Sequence, residues 1–278
     1  MPLLAIPFPS IDPVLIAIGP FQIRWYALSY IVGIFIGWWY ARRLAGNAAL
    51  WGPKGPPLAP RDIDDFVVWA TLGIVLGGRV GYVLFYDLPR FIEYPGEIFA
   101  IWRGGMSFHG GFLGTILAMV LFARSRGIPV WSLIDVIGAS VPPGIFLVRL
   151  ANFINGELWG KPTDLPWGIA FPAAGPEPRH PTQLYEGLLE GVALFLLLLF
   201  LTHRQKRLRE PGFIAGAFAA WYGAVRILIE LVRVPDEQIG YLWGPLTLGM
   251  LLSIPMLLAG LALMIWAARR PPVPAGSQ

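Results

Sequence analysis

Apolar stretches of about 20 residues follow one another along nearly the whole chain, and that is the length an α-helix needs to cross a hydrocarbon core of about 30 Å. Seven segments have this character, roughly 24–41, 63–85, 106–123, 130–150, 183–202, 212–232 and 244–267. Within a bilayer every backbone N–H and C=O must be satisfied internally, which continuous helices achieve. The pattern therefore predicts an all-α integral membrane protein with about seven transmembrane helices. Hydrophobic residues make up 56% of the 278 and charged residues 14%, against roughly 25% charged in an ordinary soluble domain. The expectation is a single polytopic membrane domain, 1–278, with irregular headpiece segments near 86–105 and 152–182.

The basic residues predict an orientation. Twelve of the 21 Lys and Arg fall in alternate connections, among them Arg42, Arg43, Arg124, Arg126, Arg207, Arg209, Arg269 and Arg270. By the positive-inside rule these connections face the cytoplasm, placing the N-terminus outside and the C-terminus in the cytoplasm. Basic residues so placed speak for topology rather than nucleic-acid binding. No cysteine is present, which excludes a disulfide, a thiolate metal site and a cysteine nucleophile of the chain's own. The start, MPLLAIPFPSIDPVLIAIGP, lacks a basic n-region and an A-x-A-like site, and reads as mature chain rather than signal peptide.

The connections on the other side are long and rich in Pro, Gly and Trp, as in YDLPRFIEYPGEIFAIWRGG and NGELWGKPTDLPWGIAFPAAGPEPRHPTQ. Tryptophan favours the headgroup level, so these read as an interfacial headpiece. The basic connection GNAALWGPKGPPLAPRD reads as flexible.

Three clusters point to chemistry on the outer face. His109 opens the third span beside Gly110, Gly111 and Gly114; an interfacial histidine with packing glycines is the alternative reading. VRLANFINGELWG places Arg149, Asn152, Asn155 and Glu157 where the fourth span ends. WYGAVRILIELVRVPD places Tyr222, Arg226, Glu230 and Arg233 near the end of the sixth. Tyr222, Arg226 and Glu230 are four residues apart and share one helix face. Ionisable groups at membrane depth are costly and generally functional, although Arg226 and Glu230 also fit a structural ion pair. Glu157 and Glu230 do not balance the arginines, and the surplus positive charge predicts an anion, which in a membrane is a phospholipid phosphate gripped by planar guanidinium forks. Tyr26 fits either that phosphate or an aromatic belt.

Five motifs in order, RWYALSY, HGGFLG, RLANFINGELWG, HPTQLYE and WYGAVRILIELVR, resemble those of the bacterial prolipoprotein diacylglyceryl transferases over nearly the whole chain. Val148 stands where that family usually has glycine, and Ala151 is a permitted small residue. The resemblance implies a seven-helix membrane body with an outer headpiece in the bacterial inner membrane. It also implies transfer of the diacylglyceryl group of phosphatidylglycerol to the lipobox cysteine of a prolipoprotein signal peptide. No metal or cofactor is implied, and phosphatidylglycerol, signal peptides and membrane lipids are the implied partners, with no nucleic acid.

Within that reading, His109 takes the thiol proton and its glycines let lipid and peptide approach. Arg149 and Arg226 stabilise phosphate charge, while Tyr26 and Asn152 orient the headgroup. Glu157 and Glu230 hold the arginines, Gly160 makes a backbone turn, and Tyr222 and Arg233 complete the binding set. HPTQLYE, with His180, Gln183, Tyr185 and Glu186, reads as a structural cap on the fifth span, Gln183 and Glu186 being lesser site candidates. His203 reads as a solvated interface residue. A transporter would place polar groups at several depths and show an inverted repeat, and the sequence shows neither; a structural scaffold leaves the outer cluster unexplained. Headgroup transfer between lipids would use the same arginines without a thiol acceptor.

Overall fold

A computed structural model describes residues 6–235, 241–244 and 246–270. Among the described residues, six helical stretches, some of them interrupted, are long and apolar enough to cross a membrane: Pro60–Phe85, Phe108–Ser125, Val130–Ile154, Thr182–His203, Phe213–Glu230 and Leu248–Arg269. The chain is an all-α, multi-pass membrane protein. The first expected span is also helical, α1 (Trp25–Gly46). Six of its 22 residues are Trp or Tyr, amphipathic rings suited to an interface.

The chain divides into two compact units, Met1–Tyr40 with Asp135–Gln278, and Ala41–Ile134. The second is built on α2 (Pro60–Phe85) and, after the short α3 (Leu88–Glu93), α4 (Phe108–Ser125). A Cβ on Gly77 would lie 2.4 Å from the Gly110 carbonyl oxygen, and one on Gly114 2.1 Å from that of Gly73. The two backbones therefore meet directly, as small residues permit in membranes, where dispersion contacts rather than hydrophobicity drive helix association. Gly110 and Gly114 are spent on this contact, so they do not open a path to His109 as the sequence suggested. Ser107 caps α4, its Oγ accepting from the Gly110 N–H at 3.2 Å.

Two further features organise this unit. Buried Arg79 donates to the carbonyls of Glu97, Ile98, Gly104 and Gly105 at 2.5–3.0 Å, fixing segment 97–105 by its backbone. Glu97 is bonded by Arg90 and Arg103, and the Arg90 hydrogen bond holds its carboxyl below the usual range. The connection 47–59, expected to be flexible, is anchored by a 3₁₀ turn and by buried Leu50, Trp51 and Leu58, with Trp51 Nε1 donating to the Leu44 carbonyl at 2.9 Å. Arg42 pairs with Asp64, and Arg126 with Asp65 at 2.6 Å, so these basic residues also have carboxylate partners.

In the first unit the fourth expected span is two helices, α5 (Val130–Ser140, its last six residues in this unit) and α6 (Pro142–Ile154). Pro142 and Pro143 lack the N–H groups that would continue α5, so the helix breaks at Val141. The fifth starts as α7 (Thr182–Glu186), widens to a π-helical turn over Gly187–Ala193, and continues as α8 (Leu194–His203). The sixth and seventh are α9 (Phe213–Glu230) and α10 (Leu248–Arg269), in close contact where a Cβ on Gly260 would meet Ala220 N at 2.4 Å. Asp135 of α5, wholly buried, caps α9 by accepting from the Gly212 and Ala215 N–H groups at 2.7 Å each. His203 is half-buried: it stacks on Tyr40 and sits 2.9 Å from Thr202 Oγ1.

Strands are short. β1 (Ile6–Pro7) pairs in parallel with β4 (Ile169–Ala170), β2 (Val14–Ile18) antiparallel with β3 (Phe21–Arg24), and β5 (Tyr241–Trp243) with β6 (Leu246–Thr247). The β1–β4 pair encloses a small aromatic core of Phe8, Phe153 and Phe171, with centroids 5.3–6.1 Å apart. This core seats segment 155–181 against the ends of α6 and α7.

The α2–α4 contact makes a prediction. Gly77→Ala forces two backbones apart and costs about 1–3 kcal/mol, whereas Gly138→Ala in α5 meets nothing within 4 Å and gains up to about 1 kcal/mol of helix propensity. Thermal unfolding of the two purified variants should move in opposite directions; equal shifts would contradict the packing.

Candidate active site

The end of α9 carries Arg226 and Glu230 one turn apart, and their i, i+4 spacing produces an ion pair of 2.5 Å. Glu230 also accepts from Thr247 Oγ1 at 2.7 Å, the same hydroxyl that caps α10 through the Met250 N–H. Arg226 turns its other nitrogen to Glu186 of α7, 2.7 Å away. Glu186 is 3.4 Å from Arg233 and, through its second oxygen, 3.1 Å from Arg149 Nε of α6. Arg149 reaches Glu190 at 3.5 Å. Tyr222 has Glu190, Arg149, Arg226 and Glu186 as its charged neighbours, and stacks on Phe218 one turn earlier.

Glycine makes this convergence possible. A Cβ on Gly191 would stand 2.6 Å from Phe146 Cβ, so only glycine lets α6 lie against the π-helical turn, and that contact brings Arg149 within reach of Glu186 and Glu190. π-helical turns recur at functional sites because they re-aim side chains that an α-helix would place elsewhere.

Segment 155–162 forms the adjoining wall. Glu157 Oε1 accepts from Asn152 at 2.8 Å and Asn155 at 3.1 Å. Gln183 donates to the Glu157 carbonyl, and Thr182 Oγ1 to that of Leu158 at 2.7 Å. Gly160 is an extended residue bridged to Arg233, with the Lys161 N–H donating to the Val232 carbonyl at 2.8 Å. A Cβ there would lie 2.6 Å from the Val232 oxygen, so glycine serves close approach, not the expected turn. The bridge fixes the chain carrying Arg233. Tyr26, in the first turn of α1, has its hydroxyl 3.2 Å from that of Tyr30, with Glu157 and Arg149 as charged neighbours.

Beside this wall, Tyr185 Oη accepts from Trp167 Nε1 at 2.7 Å and lies 3.2 Å from His180 Nδ1. The phenol and the imidazole share one hydrogen bond; burial, reinforced by Lys161, lowers the His180 pKa.

The structure thus gathers Tyr26, Arg149, Asn152, Glu157, Gly160, Tyr222, Arg226, Glu230 and Arg233 in one unit. His109 belongs to the other; it is exposed, and its ring has no hydrogen-bond partner among the described residues. Two expectations are corrected. Glu157 binds two amides rather than the arginines. Nor are the arginines in surplus among the described residues: Arg149, Arg226 and Arg233 face the carboxyl groups of Glu186, Glu190 and Glu230. Glu186 is the centre of the array rather than part of a cap alone, and Glu190 is a site residue that sequence reasoning missed. Its signal was present, since two acids four residues apart interrupt the apolar run TQLYEGLLEGVALFLLLLF.

These features define an integral membrane protein with a buried ionic site at the ends of its apolar helices. A sequence model of the prolipoprotein diacylglyceryl transferase family matches residues 13–266. The chain is 59% identical over 269 residues to a phosphatidylglycerol–prolipoprotein diacylglyceryl transferase of Mesorhizobium japonicum, covering 96% of this chain and 93% of the relative. It is 56% identical over 271 residues to the proteins of that name from Brucella anthropi and Brucella canis, covering 97% of this chain and 96% of each. The chain belongs to the prolipoprotein diacylglyceryl transferase family.

Removing one partner from a buried ion network leaves uncompensated charge and costs about 3–5 kcal/mol. Glu186→Ala should therefore lower the melting temperature far more than Asp12→Ala, at an exposed position. Equal melting temperatures would mean that Glu186 does not hold the array.

Proposed function

We propose that the protein transfers the diacylglyceryl group from phosphatidylglycerol to the lipobox cysteine thiol of prolipoprotein signal peptides, the first step of bacterial lipoprotein maturation. The observation that carries this reading is family membership over nearly the entire chain. The arginine array supplies chemistry that suits it. In the reaction a glycerol C–O bond breaks, a C–S bond forms, and the electron pair stays with the departing glycerol phosphate.

A free thiol has a pKa near 8.5 and is mostly protonated at neutral pH, so a base is required. We assign that role to His109: its ring is exposed, it has no hydrogen-bond partner among the described residues, and a neutral imidazole nitrogen can accept a proton. Arg149 and Arg226 bind the phosphodiester and tighten on it as the leaving group gains negative charge. Tyr26 and Asn152 orient the headgroup, Glu157 holds the Asn152 amide, Glu230 holds Arg226, Gly160 fixes the chain at Arg233, and Tyr222 and Arg233 complete the binding set. The chain is one polytopic domain of the bacterial inner membrane, with segments 86–105 and 152–182 as an outer headpiece. The N-terminus is outside and the C-terminus cytoplasmic, following the basic connections; both termini lie outside the described residues.

Purified protein in bilayer discs containing phosphatidylglycerol should add one diacylglyceryl mass to a lipobox peptide, and none to its cysteine-to-serine version. Folded protein that leaves the peptide unchanged contradicts the reading. In the same assay His109→Gln should lower transfer by about 10²-fold at neutral pH. As pH approaches the thiol pKa it should recover more than the wild type. A variant whose pH profile stays parallel to wild type while lipid affinity collapses would move His109 to the headgroup-binding set.

A further inference from the structure

Balanced charge raises a question that the proposed activity leaves open. Among the described residues, Arg149, Arg226 and Arg233 are matched one for one by Glu186, Glu190 and Glu230. A phosphodiester brings one more negative charge into a place largely removed from water. Uncompensated, that charge would be opposed by three carboxylates at short range and low dielectric. Either a carboxylate leaves the array or one of them is neutralised.

The three carboxylates are held unequally. Glu230 is bonded by Arg226 and Thr247 at 2.5 and 2.7 Å. Glu186 has three arginines within 3.4 Å; Arg226 and Arg233 hydrogen-bond its Oε1, while Arg149 meets its Oε2 at 3.1 Å as an ion pair without a hydrogen bond. Glu190 has one arginine nitrogen, at 3.5 Å, on Oε2; its Oε1 is buried with no hydrogen-bond partner among the described residues. The residue is 0% exposed and sits on the π-helical turn between Gly187 and Gly191, so it cannot leave without unpacking α6. The ionisable groups facing it are Arg149 from α6, Glu186 from α7, and Tyr222 and Arg226 from α9. Arginine remains protonated in proteins and the phenol is neutral at physiological pH, while Glu186 is committed to three guanidinium groups. Glu190 is the carboxylate whose charge the array loses at least cost.

Resting on the phosphatidylglycerol reading, we propose that binding of the anionic headgroup is coupled to uptake of one proton from solvent, held on Glu190 as the neutral acid. Protonation frees the Arg149 nitrogen that faces Glu190 for the phosphate and keeps the loaded site at charge parity. The sign follows from linkage: the complex binds one proton more than the free protein, so affinity weakens as pH rises, by up to tenfold per pH unit.

The test is calorimetric titration of the full-length protein in detergent with short-chain phosphatidylglycerol, at pH 8, in two buffers of different ionisation heat. Wild type should take up about one proton per lipid bound, with affinity falling between pH 7 and 9. Glu190→Gln should take up none and show affinity independent of pH, and Glu190→Asp should keep the coupling. Binding without proton uptake in wild type overturns the proposal, whether or not the variants fold, and so does a proton still taken up by Glu190→Gln. Failure of wild type to bind phosphatidylglycerol at any pH from 6 to 9 instead overturns the functional reading, and this proposal with it.

Discussion

The carboxylate of Glu186 lies within 3.4 Å of three guanidinium groups from two other parts of the fold, and the rest of the ionic site follows from that arrangement. Three arginines placed together in a dry region would repel one another and remain poorly solvated. One central anion, flanked by Glu190 and Glu230, makes their assembly tolerable. The array is a structural solution to burying cations, and on the proposed reading its planar guanidinium groups are what meets the phosphate.

Packing makes the electrostatics possible. Gly191 admits Phe146, and so α6 approaches the turn that presents Glu186 and Glu190. Gly160 admits the Val232 carbonyl, and the bridge formed there fixes the chain at Arg233. Thr247 both caps α10 and bonds Glu230, so the start of the last helix is joined to the site. Small residues and dual-purpose hydroxyls therefore set which charges meet.

Much of the architecture was legible in the sequence because membrane spanning is a one-dimensional constraint: run length and composition located the helices to within a few residues. The Arg226–Glu230 pair was legible for a similar reason, since both partners lie on one helix face. The central role of Glu186, the presence of Glu190 and the cap made by Asp135 were not legible. Each depends on a contact between helices distant in sequence, and the π-helical turn re-aims side chains in a way that regular spacing does not foretell. Charge counted only from the residues near Arg149 and Arg226 suggested excess cation, an error that the fifth span corrected. The glycines beside His109 show the opposite case, a pattern read as access that serves packing.

The most direct measurement is an experimental structure of the protein with phosphatidylglycerol bound. Phosphate oxygens should lie within hydrogen-bond distance of the Arg149 and Arg226 guanidinium groups, about 2.7–3.2 Å, with Glu186 still joined to Arg226. A headgroup phosphate seated away from both arginines, with Arg149 and Arg226 still engaged only by Glu186, Glu190 and Glu230, would contradict it.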